Sequence, residues 1–374
     1  MDRIWKYQNP VSINFGQGSF EKTHQFIDGR KYALITYSDD QFTSYTRSLI
    51  KAAGKPSLLI NDIEPNPDLE LLSKQAKLYS ELKTKPEVIV ALGGGSVIDS
   101  AKVFALAENG FGKIRNFVET KNGGQNLAST PIIAIPTTAG TGSEMTCWAT
   151  IWDKKNSRKY SLAHEKLFPE VALIDPKLMI NKPYKLTLVT ALDALSHALE
   201  SIWNKNANVI SANHATYAAK SILKILPILL TDLTNANLRT KMASASVSAG
   251  LAFSCTKTAI AHNLSYPITL GWGVPHGIAC SFTLPTILKS IVGIGGFREA
   301  SLKEIFGDNL VKAADNLKIY LETLNIETTF LELGIPREKS KQIIDEAFLG
   351  ERGLNFIGSK ENFLKAAKSQ GILH

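Results

Sequence analysis

An aspartate and a histidine four residues apart, Asp193 and His197 in TALDALSHALES, are the residues whose types and spacing most directly suggest chemistry. On an α-helix that spacing places both side chains on one face, one turn apart. A carboxylate and an imidazole so arranged can close on a single divalent cation. Two further histidines follow, His262 in IAHNLSYP and His276 in GVPHGIAC, in a chain with seven in all. One carboxylate and three imidazoles suit a divalent Fe, Zn, Co or Ni ion rather than Mg or Ca. A catalytic ion needs an open position, which four protein donors leave only if coordination expands to five or six. The small residues of SAGLAFSCTKTAIA, ahead of His262, allow close helix packing, and Pro275 and Gly277 set the backbone direction around His276. Singly, Asp193 also fits a helix-terminal charge and each histidine a structural side chain. Together they read as a catalytic metal centre, and His24, His164, His214 and His374 show no comparable context.

A second feature is the loop Gly93-Gly94-Gly95-Ser96, which follows the apolar run EVIVAL and opens a helical pattern near Val97. Glycines let backbone N–H groups approach a phosphate closely, and a helix N-terminus adds partial positive charge. Asp99, in the first turn, can hydrogen-bond the loop, and Lys102 lies one turn on. The pattern is not G-x-G-x-x-G, so the standard dinucleotide fingerprint is absent. Another loop of small polar residues, Pro136 to Glu144 (PTTAGTGSE), also follows an apolar run. Each loop alone also fits a simple capped turn. Two of them at the C-terminal ends of parallel strands converge on one crevice, where such sheets bind ligands.

The elements that would position these residues change character midway. KYALITYS (31–38), SLLINDI (57–63), PEVIVALGGG (86–95) and TPIIAIPTT (130–138) are strand-like, and they alternate with helical patterns at 68–85 and from Ser96. Continuous Val/Ile/Leu runs bounded by Gly and Pro predict strands buried on both faces of a parallel sheet. The β-α-β-α-β order predicts a Rossmann-like, doubly wound α/β domain with a mostly parallel sheet. Beyond Pro183, residues 185–203, 209–229, 236–254, 299–325 and 337–348 carry helical periodicity, and strand runs disappear. The expected division is an α/β domain over 1–182 and an all-helical domain over 183–374, with the boundary near Asn181-Lys182-Pro183. Residues 293–298, GIGGFR, read as a flexible loop.

At 374 residues the chain can bury two substantial cores. Its net charge of +8 is spread over scattered lysines, with no basic stripe interleaved with aromatics, so no nucleic-acid partner is expected. Cys147, Cys255 and Cys280 are widely separated and odd in number, which argues for a reducing cytoplasm over a disulfide framework. The N-terminus lacks the apolar core of a signal peptide, and runs such as SILKILPILL fall short of the ~20 residues of a membrane span. A cytoplasmic enzyme with no membrane partner is the expectation.

At this point the motifs resemble the iron-containing (group III) alcohol dehydrogenase family over nearly the whole chain. FGQGSFE (15–21), EPNPDLELL (64–72), ALGGGSVIDSAK (91–102), IPTTAGTGSEMT (135–146), ALIDPKLM (172–179), LDALSHALES (192–201) and GVPHGIA (273–279) carry the resemblance. It implies a dinucleotide-binding α/β domain followed by a helical domain, the architecture shared with dehydroquinate synthase. It further implies Asp193, His197, His262 and His276 as ligands of a divalent metal, Fe2+ first and Zn2+ second. Gly93, Gly94, Gly95 and Ser96 would hold the pyrophosphate of NAD(H) or NADP(H). Asn66, Thr137, Thr138, Thr146 and Lys159 match cofactor-side positions, and Asp99 belongs to the first cofactor loop.

Two positions depart from the family pattern. Many members carry a histidine four residues after the third ligand, where this chain has Tyr266, so the proton route runs through Tyr266, a ribose hydroxyl or water. The residue that often favours NAD as an aspartate is Ser38 here, with Asp39 adjacent; a small residue removes repulsion of a 2′-phosphate and admits NADP(H). CWATIWDKKNSRKYSL (147–162) and HNLSYPITLGWGVPHG (262–277) look closest to a phosphonoacetaldehyde reductase branch, whose anionic substrate Arg158 or Lys159 could receive. A dehydroquinate-synthase-like lyase needs dense Lys/Arg around the metal, which SLAHEKLFPE does not offer. A glycerol-dehydrogenase-like polyol oxidiser fits the Asp193–His197 spacing less well, and a non-catalytic nucleotide-binding module is the remaining rival. The expected partner is a small aldehyde or primary alcohol, and an edge strand near the N-terminus predicts a homodimer.

Overall fold

Strands form here where the chain is apolar at every residue, because both faces are covered. The structure, a computed structural model, describes residues 4–156, 158–180 and 182–373. One unit, Pro10–Ile180, contains β1 (Ser12–Phe15), β2 (Tyr32–Ile35), β3 (Leu58–Ile60), β4 (Val88–Gly93), β5 (Ile132–Pro136), β6 (Trp148–Asp153), β7 (Arg158–Ala163) and β8 (Val171–Ile174). Interleaved with them are α1 (Thr23–Ile27), α2 (Asp40–Ala53), α3 (Leu69–Ser80), α4 (Gly95–Ala105) and α5 (Phe111–Thr120). Six strands make one parallel sheet in the order β1-β8-β5-β4-β2-β3. β6 and β7 form a separate antiparallel hairpin, which the strand-then-helix alternation did not anticipate.

Alternate residues of the central strands enter two different cores. Ala33, Ile35, Ile89 and Ala91 pack with Leu72 and Tyr79 of α3 and with Val97 and Phe104 of α4. Tyr32, Leu34, Val88, Val90 and Leu92 pack with Phe42 and Leu49 of α2. Burying one such aliphatic side chain contributes about 1.5–3 kcal/mol, more than the ~1 kcal/mol span of strand propensities, so burial decides where these strands lie. From β2 onward the strands lie β3-β2-β4-β5-β8, a doubly wound order whose direction reverses between β2 and β4.

The second unit is Asn181–His374 together with Met1–Asn9. Asn181, where the boundary is expected, lies outside the described residues, as does His374. The helices are α6 (Tyr184–Ile202), α7 (Val209–Thr231), α8 (Ala236–Thr256), α9 (Ile260–Trp272), α10 (His276–Ser281), α11 (Leu284–Ser290), α12 (Gly296–Phe306), α13 (Leu310–Thr323), α14 (Arg337–Leu349) and α15 (Lys360–Ser369). Every residue of α6 from Ala191 to Ile202 is buried, the pattern of a helix surrounded by others. The single periodic stretch expected over 299–325 divides into α12 and α13 after Gly307, which adopts φ 87°. The glycine segment expected as a loop ends sooner, since Gly296, Phe297 and Arg298 already open α12. Texture groups the first residues with the α/β half; the structure instead packs them on the helices. Tyr7 donates to Leu251 O at 3.3 Å and stacks on His214, and Asn9 donates to Ser254 Oγ. Among the described residues no helix is long and apolar enough to cross a membrane.

Gly277 of α10 lies against the backbone of α6: a Cβ there would sit 1.8 Å from Val189 O. Backbone cannot yield as a side-chain tip can. Gly277→Ala is therefore expected to destabilise the helical unit by about 3 kcal/mol, the upper range of overpacking, read as a lowered midpoint in urea denaturation.

Candidate metal centre and cofactor loops

Helix α6 carries Asp193 and His197 one turn apart, and its burial forces both side chains to find partners inside the helical unit. His262 comes from the first turn of α9, and His276 is the first residue of α10, after the left-handed Gly273 and Pro275. One oxygen of Asp193, Oδ1, lies 3.7 Å from His197 Nε2, 3.4 Å from His262 Nε2 and 4.0 Å from His276 Nε2. Two atoms bound tetrahedrally to one ion at about 2.1 Å stand about 3.4 Å apart, so this spacing fits a shared cation. Asp193 Oδ1, His262 Nε2 and His197 Nδ1 are buried and make no hydrogen bond. Such orphaned polar atoms are costly unless something satisfies them. His197 is held by stacking, 4.0 Å from the Phe253 ring and 4.6 Å from that of His262.

Outer partners aim the rings. Glu200, one further turn along α6 and fully buried, meets His262 Nδ1 at 2.5 Å and accepts from the backbone N–H groups of Ala261 and His262. That contact leaves His262 Nε2 to face Asp193, the usual way a carboxylate orients a metal-binding imidazole. Ser265 Oγ lies 3.4 Å from His276 Nδ1 and directs that ring similarly. Burial pulls His197 down to about 4, so it is neutral and ready to donate a lone pair at neutral pH. Burial pushes Asp193 up, but the imidazoles, His197 foremost, outweigh it and hold the carboxyl well below its usual range. His276 moves the other way: burial lowers it, and the Cys280 thiol beside it more than compensates, raising it to about 9.

The sequence reading assigns no role to Glu200 and only counts Cys280 among separated cysteines. Both have a signal in spacing. Glu200 follows His197 by three residues, on the same helical face, and Cys280 follows His276 by four, the spacing already used for Asp193 and His197. Tyr266 lies near the centre, its ring parallel to His276 at 6.1 Å.

In the α/β unit the glycine loop occupies the C-terminal tip of β4, beside the strand-order reversal. Gly93 pairs with Pro136 of β5 and its carbonyl accepts from Thr137 N. Gly94 caps α4, and a Cβ there would touch Thr138 Oγ1 at 3.5 Å and Tyr37 Oη at 3.8 Å. Asn66, in the left-handed region at φ 59°, donates its N–H to Ser96 Oγ. Ser38 is exposed just past β2, while Asp39 caps α2 by accepting from Gln41 and Phe42 N–H groups. Thus the tips of β2, β4 and β5 and the loop after β3 are drawn together. Lys159 lies on β7 opposite Trp152. Asp99 and Thr146 are tied into the framework of the loops. Asp99 accepts from Ser143 Oγ at 2.5 Å and Thr150 N at 2.9 Å, and Thr146 Oγ1 accepts from Lys102 at 3.1 Å.

Lys102 is the hub of that internal network. Its fully buried ammonium donates to Ser143 O, Ser143 Oγ, Thr146 Oγ1 and Trp148 O, joining α4 to the second loop and to β6. Burial draws it down to about 8, against the pull of Asp99, so it stays charged at neutral pH. Lys102→Met leaves the carbonyls of Ser143 and Trp148 without their donor and Asp99 without the cation 4.0 Å away. A loss of about 3 kcal/mol is expected, with weaker dinucleotide binding as the loops loosen, measured by chemical denaturation and cofactor titration.

Known proteins resemble this chain in both of its units. The family pattern "Iron-containing alcohol dehydrogenase" matches residues 10–176, and "Fe-containing alcohol dehydrogenase family, C-terminal" matches residues 187–367. An NAD-dependent methanol dehydrogenase from Bacillus methanolicus is 30% identical, over 91% of this chain and 92% of its own length. An NADPH-dependent butanol dehydrogenase from Clostridium saccharobutylicum is 28% identical, over 94% and 92% respectively. The crystal structure of sulfoacetaldehyde reductase from Bifidobacterium kashiwanohense, in complex with NAD+, superimposes with a TM-score of 0.88 at 29% identity, covering 99% of both chains. With its sheet, its helical half and its Asp/His cluster accounted for, the chain belongs to the iron-containing alcohol dehydrogenase family.

Proposed function

We propose that the chain is a metal-dependent, NAD(P)-linked aldehyde reductase and alcohol dehydrogenase acting on a small, anionic aldehyde in the cytoplasm. The observation that carries the reading is the approach of three imidazole nitrogens to one orphaned oxygen of Asp193. Asp193, His197, His262 and His276 would hold a divalent ion, Fe2+ in first place and Zn2+ in second. When bound, that ion supplies Lewis-acid polarisation of a carbonyl, and the nicotinamide supplies the hydride chemistry.

The chain's own residues do the rest. Asp193 brings one negative charge to the ion, and Glu200 keeps the His262 ring aimed. The N–H groups of Gly93 to Ser96, at the start of α4, would receive the pyrophosphate. Thr137, Thr138 and Asn66 would line the same loop. Ser38 leaves space for a 2′-phosphate, and both NADH and NADPH are expected to serve. The alkoxide's proton comes by way of Tyr266, a ribose hydroxyl or water. An anionic substrate is supported by the likeness to a sulfoacetaldehyde reductase and by Arg158 and Lys159 on β7, cations of the kind that pair with a phosphonate or sulfonate. The edge strand β1, with Ile13 and Phe15 partly exposed, supports a homodimer.

A screen of small aldehydes, phosphonoacetaldehyde and sulfoacetaldehyde included, with NADH and NADPH after metal reconstitution tests the reading. Anionic aldehydes should give the highest kcat/KM; no turnover with any aldehyde would refute it. His262→Ala should lose turnover by several orders of magnitude while dinucleotide binding by fluorescence titration is kept. Glu200→Gln, which keeps the shape and removes the charge behind His262, should weaken metal affinity by about 10–100-fold in a chelator competition.

A further inference from the structure

Helix α10 presents two donors one turn apart, His276 and Cys280. Cys280 is fully buried, with Sγ 3.6 Å from His276 Nε2. Asp193, His262, His276 and Cys280 each offer one donor atom, all within 4.8 Å of one another. A sulfur at about 2.3 Å and a nitrogen at about 2.1 Å from one ion, at the angles of about 90–120° that five or six donors subtend, stand about 3.1–3.8 Å apart. Two of these donor atoms, Asp193 Oδ1 and His262 Nε2, belong to residues only 5% and 3% exposed and make no hydrogen bond. The sulfur therefore faces a cluster with unmet coordinating capacity.

We propose that Cys280 supplies a thiolate to the ion that Asp193, His197, His262 and His276 would hold, making the centre a mixed N/O/S site. This rests on the metal reading above and adds a donor to it. On binding, the thiol proton passes to solvent and the sulfur lone pair forms the bond to the ion, with no change in oxidation state. A soft sulfur donor shifts preference toward ions that bind thiolate well, zinc among them, and away from an all-N/O set.

The test uses the full chain, stripped of metal and reloaded with Co2+. The parent should show visible d–d bands together with a near-ultraviolet thiolate-to-cobalt charge-transfer band. Cys280→Ala should lose the charge-transfer band, keep the d–d bands, and bind zinc about tenfold or more weakly in chelator competition. Should Cys280→Ala fail to fold by circular dichroism, the near-isosteric Cys280→Ser is read instead and should lose the same band. The proposal is overturned if the parent shows d–d bands without charge transfer, or if the charge-transfer band persists in the Cys280 variant; the metal centre would then stand without sulfur. A parent chain that binds no cobalt would instead overturn the metal reading itself.

Discussion

A carboxylate on a fully buried helix cannot stay charged without compensation. Moving an ionised group out of water costs several kcal/mol even after relaxation, and the pairs that offset it must be close and well aimed. Asp193 sits on the enclosed stretch of α6, and three imidazoles converge on its Oδ1. Much of the helical unit can be understood as the scaffold this requires. α9 and α10 each bring one histidine at their first turn, Phe253 of α8 stacks on His197, and Gly277 lets α10 rest on the α6 backbone. Glu200 is a second buried carboxylate on the same helix, compensated by two N–H groups and the His262 ring. The negative charge within α6 is thus paired in two successive layers, the inner one toward the cluster and the outer one behind it.

The α/β unit solves a different problem with the same economy. Its loops must expose backbone donors at the strand tips, yet loops that expose backbone are prone to wander. The solution is to tie them from beneath. Lys102 and Asp99 bind the second loop and β6 to α4, so the groups beneath the crevice are saturated and those at its rim remain available. Close packing at Gly95, where a Cβ would meet Thr141 at 2.7 Å, seals the two loops together.

How much of this was readable beforehand follows from where the signal is local. Strands β2, β3, β4 and β5 are announced by their own apolar runs, and the glycine loop by its position after one. Asp193 and His197 share a turn, so spacing alone suggests them. His262 and His276 are fourteen residues apart on different helices, and no spacing rule joins them to the pair; the scarcity of histidine and their local context do, with the family resemblance in support. Glu200 has only its three-residue spacing from His197 to mark it, because burial of α6 on all sides is a property of its neighbours rather than of its own composition. Cys280 is marked by its four-residue spacing from His276, a signal separate from the odd, widely spaced cysteines that argue against disulfides. The β6–β7 hairpin is not announced, because WATIWD and RKYSLA mix polar, charged and aromatic residues and lack the continuous Val/Ile signature of the covered sheet. Asp99 and Thr146 belong to loops that the sequence marks, but motif membership does not reveal the hydrogen bonds to Ser143, Thr150 and Lys102 that these side chains make.

The opening residues of the chain, with Tyr7 against His214 and Leu251, join the helical unit from a separation of 244 positions in sequence. This segment precedes the α/β portion in sequence while its partners on α7 and α8 follow it, so the helical unit closes across the whole of that portion. The α/β portion can therefore close while the nascent chain is still growing, as an insertion held at both of its ends. The helical portion, by contrast, can finish only late in synthesis, since its contacts join segments on both sides of that insertion.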